Sequence, residues 1–492
     1  MWNEILEMLN ADEFNETYTE NGARAYARTG SALLDWSFKV PQMRGWNAKK
    51  VNELFIKAYY EDKDLALKFL FFLRDVRGGL GERSSFRKII SENPNKIEHL
   101  IPLIGEYGRY DDLLCLLDTP IKDSVIRWIH QVLKFECQCI RNNQPISLLA
   151  KWLPSINTSS EKTRCYARCL QAGMGLTERE YRKMLTRMRE YLKVTEHIIS
   201  RNKWSDVDYS AVATYANLKY NAAFLKHDEA RRKSYLEALS RGEAKINAST
   251  AFPHDIVYKG RTKGFTKDIE AMWKALPQIA VEDTIVVADG SGSMWTSIPN
   301  SNVEALDVAR ALAFYFAEKL QGEFYNRYIS FGAEPHLVDL RNAPTLEEKN
   351  LIASHYDDIS NTNIEKVFKL ILATAVKGNM KQSELPKNIL IISDMEFDYG
   401  TDNTDKKMFD NIAAQYEARG YKLPRIIFWN VNSRTGAIPM LENENGVVLV
   451  SGYSVQTANM ILNGETDPYQ ALVKTLMSER YAEIGARPEL ND

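Results

Sequence analysis

After about residue 280 the chain alternates short β-branched apolar runs with helical patterns, and that alternation leaves few folds open to it. Thr284-Ile285-Val286-Val287-Ala288 runs into Asp289-Gly290, as a strand buried on both faces of a parallel sheet does. A helical stretch follows at 305–320, then strand candidates at 324–331 and 336–340 and a helix at 364–375. Asn388-Ile389-Leu390-Ile391-Ile392-Ser393, Arg425-Ile426-Ile427-Phe428-Trp429 and Val447-Val448-Leu449-Val450 supply three more strands, with helices expected near 405–419 and 467–480. This pattern predicts a doubly wound α/β domain whose ligand site lies beyond the carboxyl ends of its strands.

Residues 1–250 read differently, as helix after helix. Leu65-Ala66-Leu67-Lys68-Phe69-Leu70-Phe71-Phe72-Leu73 is too apolar for a surface helix and predicts a buried one. Asp111-Asp112 can open another helix, because carboxylates suit its positive end. Thr177-Glu178-Arg179-Glu180 has the form of a capping box, leading into Tyr181, Leu185, Met188 and Leu192 at helical spacing. The expectation is a multi-domain chain: an all-α helical-repeat module (a HEAT-like ring or solenoid) at 1–277 and an α/β domain at 278–492.

Charge follows the same division. Through Pro277 the chain carries 44 Lys and Arg against 35 Asp and Glu; the remainder carries 19 against 30. A basic helical half is compatible with nucleic acid, although an ordinary solvated surface accounts for charge runs equally well. Hydrophobic residues at 45% and charged residues at 26% exclude a disordered or fibrous chain. No run is long and apolar enough for a transmembrane helix, and the acidic start lacks the form of a secretory signal. The five cysteines, all in the first half, fit a reduced, cytoplasmic protein that does not engage membranes.

The chemistry concentrates at Asp289-Gly290-Ser291-Gly292-Ser293. At the end of a strand, one carboxylate and two hydroxyls at alternate positions converge on one point, and glycines let the backbone turn between them. Thr362, in Ser360-Asn361-Thr362-Asn363, and Asp394, after Ile391-Ile392-Ser393, can reach that point. Hard oxygen donors of low total charge suit Mg²⁺, with Mn²⁺ or Ca²⁺ as substitutes, better than zinc.

This Asp-x-Ser-x-Ser loop resembles the metal-ion-dependent adhesion site of von Willebrand factor A domains, over roughly residues 280–485. The resemblance implies metal-ligand roles for Asp289, Ser291, Ser293, Thr362 and Asp394. It also implies an open coordination position filled by an acidic side chain of a protein partner. Two positions depart from the family: Asn361 stands where a Gly is usual, and Asp394 is followed by Met395-Glu396-Phe397-Asp398.

Enzymatic readings of these residues fit less well. A nucleophile elbow needs Gly two residues either side of its Ser, which neither Ser291 nor Ser293 has. Gly78-Gly79-Leu80-Gly81-Glu82-Arg83 lacks the P-loop lysine and reads as a tight turn between helices. The cysteines at 137, 139, 165 and 169 lack zinc-ribbon spacing and read as thiols of helix faces packed in the core. The scattered histidines, His227 and His254 among them, read as structural. A weaker option is a nuclease or other enzyme using an acidic rim at Glu396 and Asp398; the expectation is a protein without catalysis.

The first half carries a second resemblance. Phe72-Leu73-Arg74-Asp75-Val76-Arg77-Gly78-Gly79-Leu80-Gly81-Glu82-Arg83 and Tyr107-Gly108-Arg109-Tyr110-Asp111-Asp112-Leu113-Leu114 resemble TROVE-type segments of the Ro autoantigen ring proteins. Leu148-Leu149-Ala150-Lys151-Trp152-Leu153-Pro154, Gly242-Glu243-Ala244-Lys245-Ile246-Asn247 and Phe252-Pro253-His254-Asp255 look closer to a TROVE-like family of phage, bacteria and plants. The resemblance implies a ribonucleoprotein scaffold that binds single-stranded or small structured RNA. The residues offered for contact are Arg74, Arg77 and Arg83 at the glycine turn; Arg179, Arg182, Lys183, Arg187 and Arg189; and Arg231, Arg232 and Lys233. Arg182 and Arg189, seven apart, are expected on one helix face, and Tyr107, Tyr110 and Trp152 are candidates to stack on bases. The alternative is a metal-dependent protein-interaction scaffold without RNA.

Overall fold

The computed structural model describes residues 15–22, 24–279, 283–357, 362–397, 408–436, 438, 447–458 and 467–485. By packing, the chain forms two compact units. One comprises residues 1–47, 54–65 and 251–479; the other comprises 48–53, 66–250 and 480–492. Residues 251–277, read from sequence with the helices, thus pack in the α/β unit, as do the described residues before 48.

The α/β unit is built on strands β3 (Thr284–Asp289), β4 (Arg327–Phe331), β5 (Pro335–Asp339), β6 (Asn388–Ser393), β7 (Arg425–Asn430) and β8 (Val447–Ser451). Each overlaps a strand expected from the sequence, with β4 starting three residues later and β5 one residue earlier than expected. The sheet order is β5-β4-β3-β6-β7-β8, with all pairs parallel except β4 with β5. Every residue of β3 is buried, because helices cover both faces of a parallel sheet. The chain winds from β3 to β4 on one side and to β6 on the other. A crevice therefore opens between the carboxyl ends of β3 and β6, where such sheets take ligands.

The expectation of helix after helix before residue 250 fails at the amino end. β1 (Glu16–Tyr18) and β2 (Arg24–Tyr26) form an antiparallel hairpin, and Tyr26 makes a bridge to Ile438 through both backbone bonds. Three-residue strands carry too little alternation to be read from sequence; they exist because the rest of the unit supplies partners. The short helix Ala32–Phe38 buries Trp36 and Phe38 in the same unit. Its last carbonyls are used: Asn430 Nδ2 donates to Phe38 O at 2.8 Å, and Ser451 Oγ donates to Ser37 O.

The second unit is helical. Ala66 through Leu73 are buried along the helix Lys63–Arg74, as the apolar run predicts. Gly79 then turns the chain so closely that a Cβ there would lie 2.1 Å from Phe72 O, which explains the glycine without any phosphate. The Asp111-Asp112 start opens a 3₁₀ segment, Tyr110–Asp118. Residues 480–485 return to this unit, where Arg480 and Tyr481 hydrogen-bond the buried carboxylate of Asp75. Among the described residues no helix is long and apolar enough to cross a membrane. All five cysteines are free thiols, Cys139 buried and Cys165 exposed, so Cys165 is not the core thiol expected.

Candidate metal centre

At the switch point the end of β3 and the end of β6 are joined through side chains. Asp289, buried, accepts from Ser393 Oγ at 2.6 Å with one oxygen and from Ser291 N at 3.0 Å with the other. Ser291 Oγ and Ser293 Oγ are 3.0 Å apart. Gly290 permits the turn: a Cβ there would press on Ser330 Oγ at 2.9 Å, while its N–H donates to Phe331 O at the end of β4. The structure therefore brings Asp289, Ser291 and Ser293 to one point beside Asp394.

Asp394 is fully buried, and its Oδ1 accepts from Glu396 N at 3.2 Å. Its Oδ2 is buried and receives no hydrogen bond among the described residues. Burial first, then the Asp289 charge, push the carboxyl up to about 8; the Glu396 N–H pulls it down, the Glu396 charge adds to the rise, and the Ser293 hydroxyl opposes it. Two facing carboxylates of this kind call for a shared proton or a cation. The turn is also tense: Met395, which follows Asp394, has φ 65°, a region uncommon for a side chain of this size.

Thr362, buried, reaches the same rim. Its Oγ1 accepts from Asn21 Nδ2 at 3.4 Å, and that amide also donates to Glu396 O at 2.7 Å. Among the described residues no three His, Cys, Asp or Glu side chains cluster as a metal site; the donors here are two carboxylates and three hydroxyls. That set, with one buried carboxylate oxygen lacking a donor, fits a hard divalent cation that keeps part of its water.

Glu396 has a different task from the acidic rim suggested for it. Its buried carboxylate accepts from Ser433 Oγ, from the N–H groups of Arg434 and Thr435, from Thr435 Oγ1, and from Glu20 N at 2.8 Å. It fastens a loop and the β1–β2 turn to the site, and both oxygens are engaged. Asp398 lies outside the described residues. Sequence reasoning missed Ser393, Asn21, Glu20 and Arg434. Only Ser393 carried a signal, as the residue before Asp394 at a strand end.

The basic candidates separate. Arg74 is buried, with Nε 2.7 Å from Asp112 Oδ2. Arg232 is buried among Tyr209, Phe224 and Tyr235 and hydrogen-bonds Asn217 and Asn221. Arg189 donates to Ala150 O, Leu153 O and Ser155 Oγ. Those three hold the helical unit together. Arg231 binds the carbonyls of Trp204, Ser205 and Val207 and the Asp228 carboxylate, and Lys233 pairs with Glu229. Arg77 is exposed and donates to Glu106 O, and Arg83 is exposed near the like charges of Arg109 and Arg87. Arg179, Arg182, Lys183 and Arg187 are exposed together on the helix Glu178–Tyr191.

The aromatic candidates are engaged too. Tyr107 is buried against Phe71 and Tyr481, Tyr110 stacks on Trp128, and Arg109 lies 4.2 Å over Trp152. His227 stacks on Trp204, and His254 is buried against Phe252.

A helical unit and an α/β unit with an oxygen-lined crevice at its switch point define the architecture. Residues 283–483 match a family described as a domain of unknown function (DUF7788), and residues 19–91 and 172–287 match a second such domain (DUF2828). The chain is also similar to Uncharacterized protein L728 of Acanthamoeba polyphaga mimivirus. The two are 28% identical over 510 residues, covering 94% of this chain and 87% of the viral protein.

Proposed function

We propose that this chain is a non-catalytic binding protein whose α/β unit holds a divalent cation, Mg²⁺ first and Mn²⁺ or Ca²⁺ as substitutes, in the manner of a von Willebrand factor A adhesion site. The observation that carries this reading is the buried Asp394 Oδ2, which receives no hydrogen bond among the described residues, beside Asp289 and the hydroxyls of Ser291 and Ser293. Asp289, Ser291, Ser293, Thr362 and Asp394 would hold the ion directly or through water. The cation would supply a fixed positive charge able to receive an acidic side chain from a protein partner. Calorimetry with Mg²⁺ and Mn²⁺ tests this. Saturable binding is expected for the full chain and is expected to vanish in Asp289→Ala, which removes one anionic ligand and leaves the turn glycines in place. Matching titrations of the two proteins would show that the ion is held elsewhere.

A second reading concerns the helical unit, as a TROVE-like, Ro-like RNA scaffold of HEAT-like repeats. What favours it is the exposed row Arg179, Arg182, Lys183 and Arg187 on one helix. Single-stranded RNA with a free end is the ligand to try first, because its phosphates are accessible and its bases unpaired.

A further inference from the structure

The amino-terminal hairpin and the candidate metal centre meet at one side chain that nothing in the sequence marks. Arg434 lies in the loop after β7, with Nη2 2.6 Å from Glu20 Oε2 and 3.6 Å from Asp394 Oδ2. That second oxygen is the buried one that receives no hydrogen bond among the described residues, and 3.6 Å is too long to supply one. The guanidinium thus offers Asp394 charge without a bond.

Glu20, which tethers Arg434, stands on the turn between β1 and β2. That turn is seated on the site: Thr19 Oγ1 donates to Phe397 O at 2.6 Å, Glu20 N donates to Glu396, and Asn21 Nδ2 donates to Glu396 O and Thr362 Oγ1. The backbone of Arg434 is held from the other side, through its N–H to Glu396 Oε1 at 2.8 Å. Every one of these contacts lies within the α/β unit.

From this arrangement we propose that the hairpin is a built-in latch on the metal centre: Glu20 holds Arg434 where its charge competes with a divalent cation for Asp394. The inference rests on the cation-binding reading above. A divalent ion bonded to Asp394 would repel a guanidinium this close, because two positive charges a few ångströms apart in a buried site are poorly screened. Ion entry therefore displaces Arg434, breaks its pair with Glu20, and leaves the turn held by neutral contacts and by Glu396. The converse follows by linkage: whatever draws the hairpin off the site strengthens ion binding.

The test uses the full chain and Mn²⁺ alone, with free ion counted by its electron paramagnetic resonance signal. Arg434→Gln is expected to bind Mn²⁺ more tightly than wild type, on the order of tenfold, the usual size of a coupling between two sites. Arg434→Lys keeps the charge and is expected to stay near wild type, which separates charge from loop damage. Hydrogen exchange gives a second readout: amides of residues 19–22 are expected to exchange faster once Mn²⁺ is bound. Wild-type binding with equal or weaker affinity in a folded Arg434→Gln overturns the latch and leaves the metal centre standing. So does an exchange rate at 19–22 that saturating Mn²⁺ does not change. Absence of binding in both proteins removes both readings, whereas binding by Arg434→Gln alone supports the latch.

Discussion

Arg232 and Lys233 are neighbours of the same charge, and from sequence they belong to one basic cluster. The structure sends them to opposite fates. Arg232 is enclosed by three aromatic rings and two asparagine amides, whereas Lys233 extends into water beside Glu229. Removing the first leaves Asn217 and Asn221 short of a donor and opens a cavity. Arg232→Ala is expected to lower the stability of the helical unit by roughly 3 kcal/mol. Lys233→Ala, which removes one member of an exposed i,i+4 pair, should leave the unfolding midpoint close to wild type. Urea unfolding followed by circular dichroism distinguishes them; equal midpoints would contradict the buried role. Any loss of RNA binding in an Arg232 variant would then report folding and not contact.

At the scale of an element, the helix Glu178–Tyr191 shows how much periodicity conveys. Thr177 and Glu180 form the reciprocal cap that the sequence predicts, and Tyr181, Leu185 and Met188 are buried at the expected spacing. Residues seven apart share a face only approximately, because 3.6 residues per turn shifts the second by about 20°. Arg182 meets water, while Arg189, near the other end of the helix, reaches the carbonyls of Ala150 and Leu153, because the segment 150–155 packs beside it there. A charge reversal that tests RNA binding should therefore change Arg179, Arg182, Lys183 and Arg187 to Glu and leave Arg189 intact. If this row tracks a phosphate backbone, the folded variant loses most single-stranded RNA binding. The wild-type affinity should also fall steeply with salt, by about 0.7 of a unit of logarithmic slope for each single-strand phosphate neutralised. Anisotropy across a salt series measures both, and unchanged binding by the variant would remove this helix from consideration.

For the whole molecule the consequential fact is that the α/β unit is assembled from distant stretches of chain. Trp36 and Phe38 are buried in it, Asn430 and Ser451 are bonded to the carbonyls of Phe38 and Ser37, and Trp273 Nε1 donates to Glu318 at 2.8 Å. Arg261 reaches Asp307 at 2.7 Å from the helix Pro253–Lys263. A fragment of residues 278–492 holds every strand of the six-stranded sheet but none of these covers. Its exposed apolar faces are expected to make it aggregate or melt without a cooperative transition. A sharp thermal transition for that fragment, matching the one assigned to this unit in the full chain, would show the covers to be dispensable.

Features that follow local rules are legible in the chain before it folds. β-branched runs placed β3, β6, β7 and β8, apolar spacing placed the buried helices, and Asp-x-Ser-x-Ser at a strand end marked the crevice, because each signal is complete within a few residues. Features that depend on a partner far along the chain emerge only on folding. The β1–β2 hairpin has strands too short to declare themselves. Glu396 became a clamp, and Arg74, Arg189 and Arg232 became internal struts. Arg434 came to stand between Glu20 and Asp394. A charged side chain has the same sequence signature in water and in a buried network, and only the groups that fold around it determine which of the two it meets.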